Sequence, residues 1–198
     1  MGETLLFATH NAGKVEEMRG LLAPYGVRVV SAAEMGLPVP EETEDSFDGN
    51  ARVKAEAACR ETGLPALADD SGLCVDGLGG APGVWTADWA ETPSGRDFLH
   101  AMTRTRDALL AGRIPEPWLA AFHCVLAFAA PGSRCEFHRG VVRGRLVWPL
   151  RGALGHGYDP MFVPEGRTQT FAEMDAAEKN RISHRSLALA SFVAGRFT

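Results

Sequence analysis

The chain has 198 residues, 45% of them hydrophobic and 23% charged, a balance that fits one α/β domain or two small lobes and excludes wholesale disorder. The formal net charge of −5 argues against a non-specific nucleic-acid binder or a membrane-surface protein, and leaves room for a small anion held by local positive charge. No apolar run approaches the ~20 residues that a membrane-spanning helix needs.

Residues 1–9 carry no basic segment and read as a strand over Leu5 to Ala8, which predicts no signal peptide. The polar turn Thr9-His10-Asn11-Ala12-Gly13-Lys14 follows. Val15, Met18, Leu21 and Leu22 then recur at helical spacing until Pro24–Gly26, and Val27 to Val30 reads as a second strand. Strand, turn, helix, strand is the opening of an α/β sheet. Residues 37–46 form an acidic loop. Ser46 is the predicted N-cap of a helix over Phe47 to Thr62 closed by Gly63, with Ala51, Ala55, Ala58 and Cys59 as its packing stripe. Asn50 and Lys54, at i and i+4, share another face.

Ala66 to Val75 reads as a strand with an acidic break at Asp69-Asp70, followed by a flexible glycine-rich loop to Gly83. A second amphipathic helix is predicted over Ser94 to Leu110. Ala120 to Ala130 and Cys135 to Arg145 read as a strand pair turned at Pro131-Gly132-Ser133. Gly152 to Asp159 is a glycine-rich turn, and Phe171 to Phe197 is mostly helical with an interruption near Asn180. Cys59, Cys74, Cys124 and Cys135 are widely spaced without a C-x-x-C pair, which predicts buried reduced thiols and a cytoplasmic location.

Several familiar motifs are absent. Ala12-Gly13-Lys14 is not a P-loop, because Ala8 stands where the first glycine is required and Val15 where Ser or Thr would bind magnesium. Gly155-His156-Gly157 lacks the third glycine of a dinucleotide fingerprint. The cysteines and six histidines have no zinc spacing, and there is no G-x-S-x-G elbow.

The distinctive features lie elsewhere. Of the 20 Lys plus Arg, only Lys14, Lys54 and Lys179 are lysines, and each has an asparagine nearby in sequence: Asn11, Asn50 and Asn180. A chain rich in arginine that keeps these lysines points to places where a compact ammonium is needed. Asp69-Asp70-Ser71 puts two carboxylates into an apolar strand, where each costs several kcal/mol if buried without a partner. Successive strand residues face opposite ways, so one carboxylate or the other faces a given site. A divalent cation would remove the penalty, since Mg²⁺ takes one or two carboxylates plus substrate phosphates. A salt bridge to an arginine is the competing account. Glu41 and Glu42 are candidates for the second carboxylate. Lys179, His184 and Arg185 add donors suited to a carbonyl-rich heterocycle or a phosphate.

Together these segments closely resemble the inosine/xanthosine triphosphate pyrophosphatase family, which hydrolyses non-canonical purine nucleotides. The resemblance is carried by residues 7–14 (FATHNAGK), 46–55 (SFDGNARVKA), 64–73 (LPALADDSGL), 80–84 (GAPGV), 157–162 (GYDPMF), 170–174 (TFAEM) and 178–185 (EKNRISHR). It implies one domain over residues 1–198, with an elongated mixed α/β sheet, flanking helices, two lobes around a central cleft, and a homodimer. It implies Mg²⁺-dependent hydrolysis of ITP, dITP and XTP to the monophosphate and pyrophosphate.

By motif position, Thr9, His10, Asn11, Ala12, Gly13 and Lys14 would hold phosphates, and Lys54 would reach the triphosphate. Asp70 would be the catalytic carboxylate and a metal ligand. Glu42 would be the second metal residue, with Glu41 its competitor, and Ser71 would bind substrate. His156, Gly157, Tyr158, Asp159, Lys179, His184 and Arg185 would surround base and sugar. Donors such as Lys179 or Arg185 would favour the 6-oxo bases over adenine. Three segments depart from the family pattern. His156 replaces a usual Phe, Trp85-Thr86-Ala87-Asp88 replaces Tyr-Ser-Ala-Arg, and Gly49 replaces a usual Glu. The alternatives are a general or modified-pyrimidine triphosphate pyrophosphatase, or a nucleotide sensor without turnover.

Overall fold

A computed structural model describes residues 3–38, 40 and 42–196. The elements in chain order begin with β1 (Thr4–Phe7), α1 (Ala12–Leu22), β2 (Arg28–Ser31), α2 (Phe47–Thr62) and β3 (Ala66–Val75). Then come β4 (Glu91–Thr92), β5 (Gly95–Arg96), α3 (Phe98–Ala111), β6 (Trp118–Ala129) and β7 (Glu136–Leu146). The last are β8 (Phe162–Pro164), α4 (Ala176–Ile182) and α5 (His184–Arg196). Six strands form one mixed sheet in the order β2-β1-β3-β6-β7-β8, and β4 and β5 form a separate hairpin. β1 runs parallel to β2, from Thr4↔Arg28 to Phe7↔Ser31, and parallel to the start of β3 at Leu6↔Ala66. β8 is antiparallel to β7.

The chain divides into two compact units. The first comprises residues 1–70, 125–139 and 189–198, and the second residues 71–124 and 140–188. The crossings between them fall inside β3, β6, β7 and α5.

In the first unit, α2 lays Ala51, Ala55, Ala58 and Cys59 against Leu6, Ala66 and Ala68, with Val125, Ala127 and Ala129 of β6 in the same cluster. The small side chains bring the helix close to the strands. Ser46 caps α2 by accepting the Gly49 N–H, and Gly63 ends it in the left-handed region. Both ends agree with the sequence expectation. The second unit has its own core, in which Phe122, Phe162 and Phe171 pack together and Tyr158 meets Phe98 edge-on.

Four expectations change in detail. β3 is continuous through Asp69-Asp70 and has no break. Residues 77–83 are ordered by short turns and by a bridge between Cys74 and Pro82. The helix expected from Ser94 begins at Phe98, because residues 91–96 close a hairpin and Asp97 caps α3 through the Leu99 and His100 N–H groups. The C-terminal helix is interrupted at Ser183, not near Asn180, since Ser183 has extended backbone between α4 and α5. The end of that predicted helix, Phe197, lies outside the described residues. Cys59 and Cys124 are buried, Cys74 and Cys135 half-buried, and none of the four forms a disulfide.

Candidate active site

Strand alternation builds the centre of the first unit. Ala66 and Ala68 face α2, so Asp70, on the same row of β3, faces α2 as well, while Asp69 points the other way. Each carboxylate meets a different helix. Asp69 accepts from Lys14 Nζ of α1 at 2.7 Å, with only 3% of its side chain exposed. Asp70 accepts from Asn50 Nδ2 of α2 at 3.3 Å and has Lys54 Nζ at 3.6 Å. Lys54 also donates to Glu42 at 2.7 Å. Lysines are thus among the partners of both carboxylates.

The turn before α1 is fixed by its own polar groups. Asn11 is the N-cap and accepts the Lys14 N–H at 3.1 Å, and Thr9 Oγ1 accepts the Asn11 N–H at 3.2 Å. His10 Nε2 meets the Leu37 carbonyl at 2.8 Å and ties the turn to the segment after β2. Ala12 and Gly13 occupy the first turn of α1, where N–H groups have no intrahelical acceptor and face an anion favourably.

This cluster gathers three carboxylates, Glu42, Asp69 and Asp70, around two ammonium groups, Lys14 and Lys54. Burial and these charges together set the titration behaviour. Burial pushes the Asp70 carboxyl up to about 6, with Glu42 and Asp69 adding to the rise and Lys54 and Asn50 opposing it. Burial pulls the Lys54 ammonium down, but Asp70, Asp69 and Glu42 outweigh it and leave the group above its ordinary value.

The donor set suits a hard cation. Among the described residues no three His, Cys, Asp or Glu side chains converge as a protein-only cage. Glu42 and Asp70 lie about one ammonium, and Mg²⁺ needs only one or two carboxylates with water and phosphate oxygens completing its shell. Glu41, the competitor of Glu42, lies outside the described residues.

The second unit contributes a separate group. Asp159 is buried and accepts from the His156 N–H at 2.8 Å and from Lys179 Nζ at 2.5 Å, which pins the glycine-rich turn to α4. His156 is exposed beside Gly157. Tyr158 is 1% exposed and belongs to the core, where burial raises its hydroxyl to about 12. His184 stacks on Phe122 at 4.9 Å with an 11° interplanar angle, and Arg185 beside it is buried. Ser71 follows Asp70 directly on β3 and is half-buried.

Sequence reasoning did not place Asn50 among the site residues. Its side chain is buried, donates to Asp70, and accepts the Glu44 N–H at 3.0 Å. The signal was its i,i+4 spacing from Lys54 on α2.

Comparison with known proteins gives a consistent picture. The model of the Ham1 family matches residues 5–195. A dITP/XTP pyrophosphatase from Ruegeria pomeroyi is 65% identical over 196 residues, covering 99% of this chain and 96% of that protein. A dITP/XTP pyrophosphatase from Mesorhizobium japonicum is 48% identical over 206 residues, covering 98% and 94%. Among solved structures, a HAM1 protein from Coxiella burnetii superposes with a TM-score of 0.91 at 35% identity, covering 98% of each chain.

Proposed function

Because the chain belongs to the Ham1 family, we propose that it is a nucleoside triphosphate pyrophosphatase that hydrolyses ITP, dITP and XTP to the monophosphate and pyrophosphate. The observation that carries this reading is the joining of Lys14, Lys54, Glu42, Asp69 and Asp70 in one polar cluster, in a chain similar along nearly its whole length to dITP/XTP pyrophosphatases.

In this reading the turn Thr9–Lys14 and Lys54 bind the triphosphate. Compact ammonium groups and first-turn amides suit a dense anion in an otherwise acidic protein. Glu42 and Asp70 would hold Mg²⁺, which when bound supplies Lewis-acid neutralisation of phosphate oxygens. Asp70 orients or deprotonates the attacking water, a task suited to a carboxyl tuned toward neutrality. Ser71, His156, Gly157, Tyr158, Asp159, Lys179, His184 and Arg185 serve the base and sugar. Tyr158, whose ring is in the core, contributes through its backbone. Donors at Lys179 or Arg185 favour a 6-oxo purine and leave adenine mispaired.

The same reading takes residues 1–198 as one functional domain of a cytoplasmic homodimer, with neither nucleic acid nor membrane as partner. No helix among the described residues is long and apolar enough to cross a membrane.

A nucleotide panel tests the proposal. The purified protein with Mg²⁺ is given dITP, ITP, XTP, ATP and dTTP, with inorganic pyrophosphatase absent. Pyrophosphate release with kcat/KM highest for the 6-oxo purines supports it. Orthophosphate as the sole primary product overturns the reaction, equal rates on ATP and dTTP overturn the substrate class, and tight binding without turnover makes the protein a sensor.

A further inference from the structure

Glu42, itself exposed, reaches Lys54 from the chain ahead of α2, so something must fix that stretch relative to β3. Two consecutive residues of α2 meet this need. Asn50 is 3% exposed and uses both ends of its amide: Oδ1 accepts the Glu44 N–H at 3.0 Å, and Nδ2 donates to Asp70 Oδ2 at 3.3 Å. One rigid group thus spans from the loop backbone to the strand carboxylate.

Gly49 supplies the second observation. A Cβ built there would lie 2.6 Å from Glu44 Cβ, 2.9 Å from its Cγ and 2.9 Å from Ser46 Oγ. The stem of Glu44 therefore lies directly on the bare backbone of the first turn of α2. Any side chain at 49 would lift Glu44 and, with it, the N–H that Asn50 accepts. The nearest atom is the root of the Glu44 side chain, so the loop backbone has to shift to relieve the contact.

We propose that Gly49 and Asn50 form a seat for the acidic loop and act as positioning residues, holding Glu42 in register with Asp70 and Lys54. The inference rests on the functional reading above, since it gives the register of the two carboxylates a purpose in holding a divalent cation. Groups that orient metal-binding carboxylates typically change metal affinity or activity 10–100-fold when removed.

Gly49→Ala is the sharper variant, because it adds only the Cβ that meets Glu44 and leaves the Asn50 amide in place. Asn50→Ala removes both arms of the amide. Asn50→Asp keeps an acceptor for the Glu44 N–H but loses the donor to Asp70. The measurements are calorimetric titration of the substrate-free protein with Mg²⁺ or Mn²⁺, hydrogen exchange of the amides at 42–45, thermal melting, and the metal dependence of dITP hydrolysis.

Gly49→Ala is expected to weaken metal binding on the order of tenfold, to speed exchange at Glu44, and to remain folded at the assay temperature, as its melting curve verifies. Asn50→Ala is expected to speed exchange too, whereas Asn50→Asp retains protection at Glu44 and loses metal register. Wild-type metal binding and wild-type exchange in Gly49→Ala would overturn the seat. Failure of the wild-type protein to hydrolyse dITP would instead strike at the functional reading, and the exchange and metal-binding arms would still judge the seat.

Discussion

Lys14 of α1 and Asp69 of β3, 55 positions apart in sequence, meet at 2.7 Å. The next strand residue, Asp70, lies 3.6 Å from Lys54 of α2. Neighbouring carboxylates on one strand thus each draw a lysine from a different helix. The pattern follows from strand alternation, and it sets the positions of two ammonium groups without any loop having to supply them.

Replacing either lysine by arginine keeps the charge and changes its shape. The guanidinium is planar and larger, and cannot take the position of a compact ammonium held against a buried carboxylate. Lys14→Arg and Lys54→Arg are each expected to lower kcat/KM for dITP on the order of 10–100-fold, the scale of a small misplacement at a reacting centre. Lys14→Met should in addition lower stability, because it removes the ammonium from which the buried Asp69 accepts at 2.7 Å. Steady-state kinetics and denaturant unfolding check these expectations, and near-normal kinetics in both arginine variants would count against the assigned roles.

Asp70 gives a pH signature. Its carboxyl is raised to about 6 by burial, above its unfolded value near 4. The native state therefore binds more protons than the unfolded state between about pH 4 and 6, and metal-free stability falls as pH rises through that window. Asp70→Asn is expected to abolish turnover and, in the presence of EDTA, to melt above wild type at pH 8, with the gap closing toward pH 4. Mg²⁺ should stabilise wild type at pH 8 by about 2.7 kcal/mol at a concentration 100 times its dissociation constant, and less below pH 6. Melting curves with and without Mg²⁺ decide the matter, and a gap that widens toward acid would contradict the assignment.

The second unit makes its own prediction. Asp159→Asn retains an acceptor for the His156 N–H but removes the ionic partner of Lys179. If this turn serves the base and sugar, KM for dITP should rise about tenfold with a smaller change in kcat, as expected for an interaction felt equally in ground and transition states. A fall in kcat at constant KM would move these residues to the reacting phosphates.

Gly140 tests packing near His184. A Cβ at 140 would lie 2.0 Å from the His184 carbonyl oxygen and 2.6 Å from the Ala188 nitrogen, both backbone atoms. Gly140→Ala is expected to cost about 3 kcal/mol, because β7 and α5 must separate to admit a methyl group. Urea unfolding measures this, and the substrate selectivity of the surviving folded enzyme shows whether His184 and Arg185 moved with the helix.

The parts of the structure legible in sequence are those governed by local rules. Ser46 and Gly63 announce both ends of α2, and the apolar run from Ala66 to Val75 gives β3 to the residue. The start of α3 was less legible, because the short β4–β5 hairpin has too few residues for a periodic signal. The break at Ser183 reflects its extended backbone and not a helix-breaking residue type. In the site, the residue types named the chemistry, but partners such as Lys14 with Asp69 are long-range and depend on which face of β3 each helix covers. Asn50 is legible only as a neighbour of Lys54 on one helix face, because nothing local to a helix names the carboxylate that an asparagine will meet.

The passages of the chain between the two units at 70/71, 124/125, 139/140 and 188/189 all fall within regular elements. No interdomain linker exists at which a gene could be cut and rejoined. A recombination breakpoint at any passage would sever a strand or helix, and the first would separate Asp70 from Ser71. Chimaeras with related enzymes should therefore be assembled by exchanging surface turns, such as 130–135, and inherited change in such a protein is constrained to substitution and loop variation more than to the shuffling of modules.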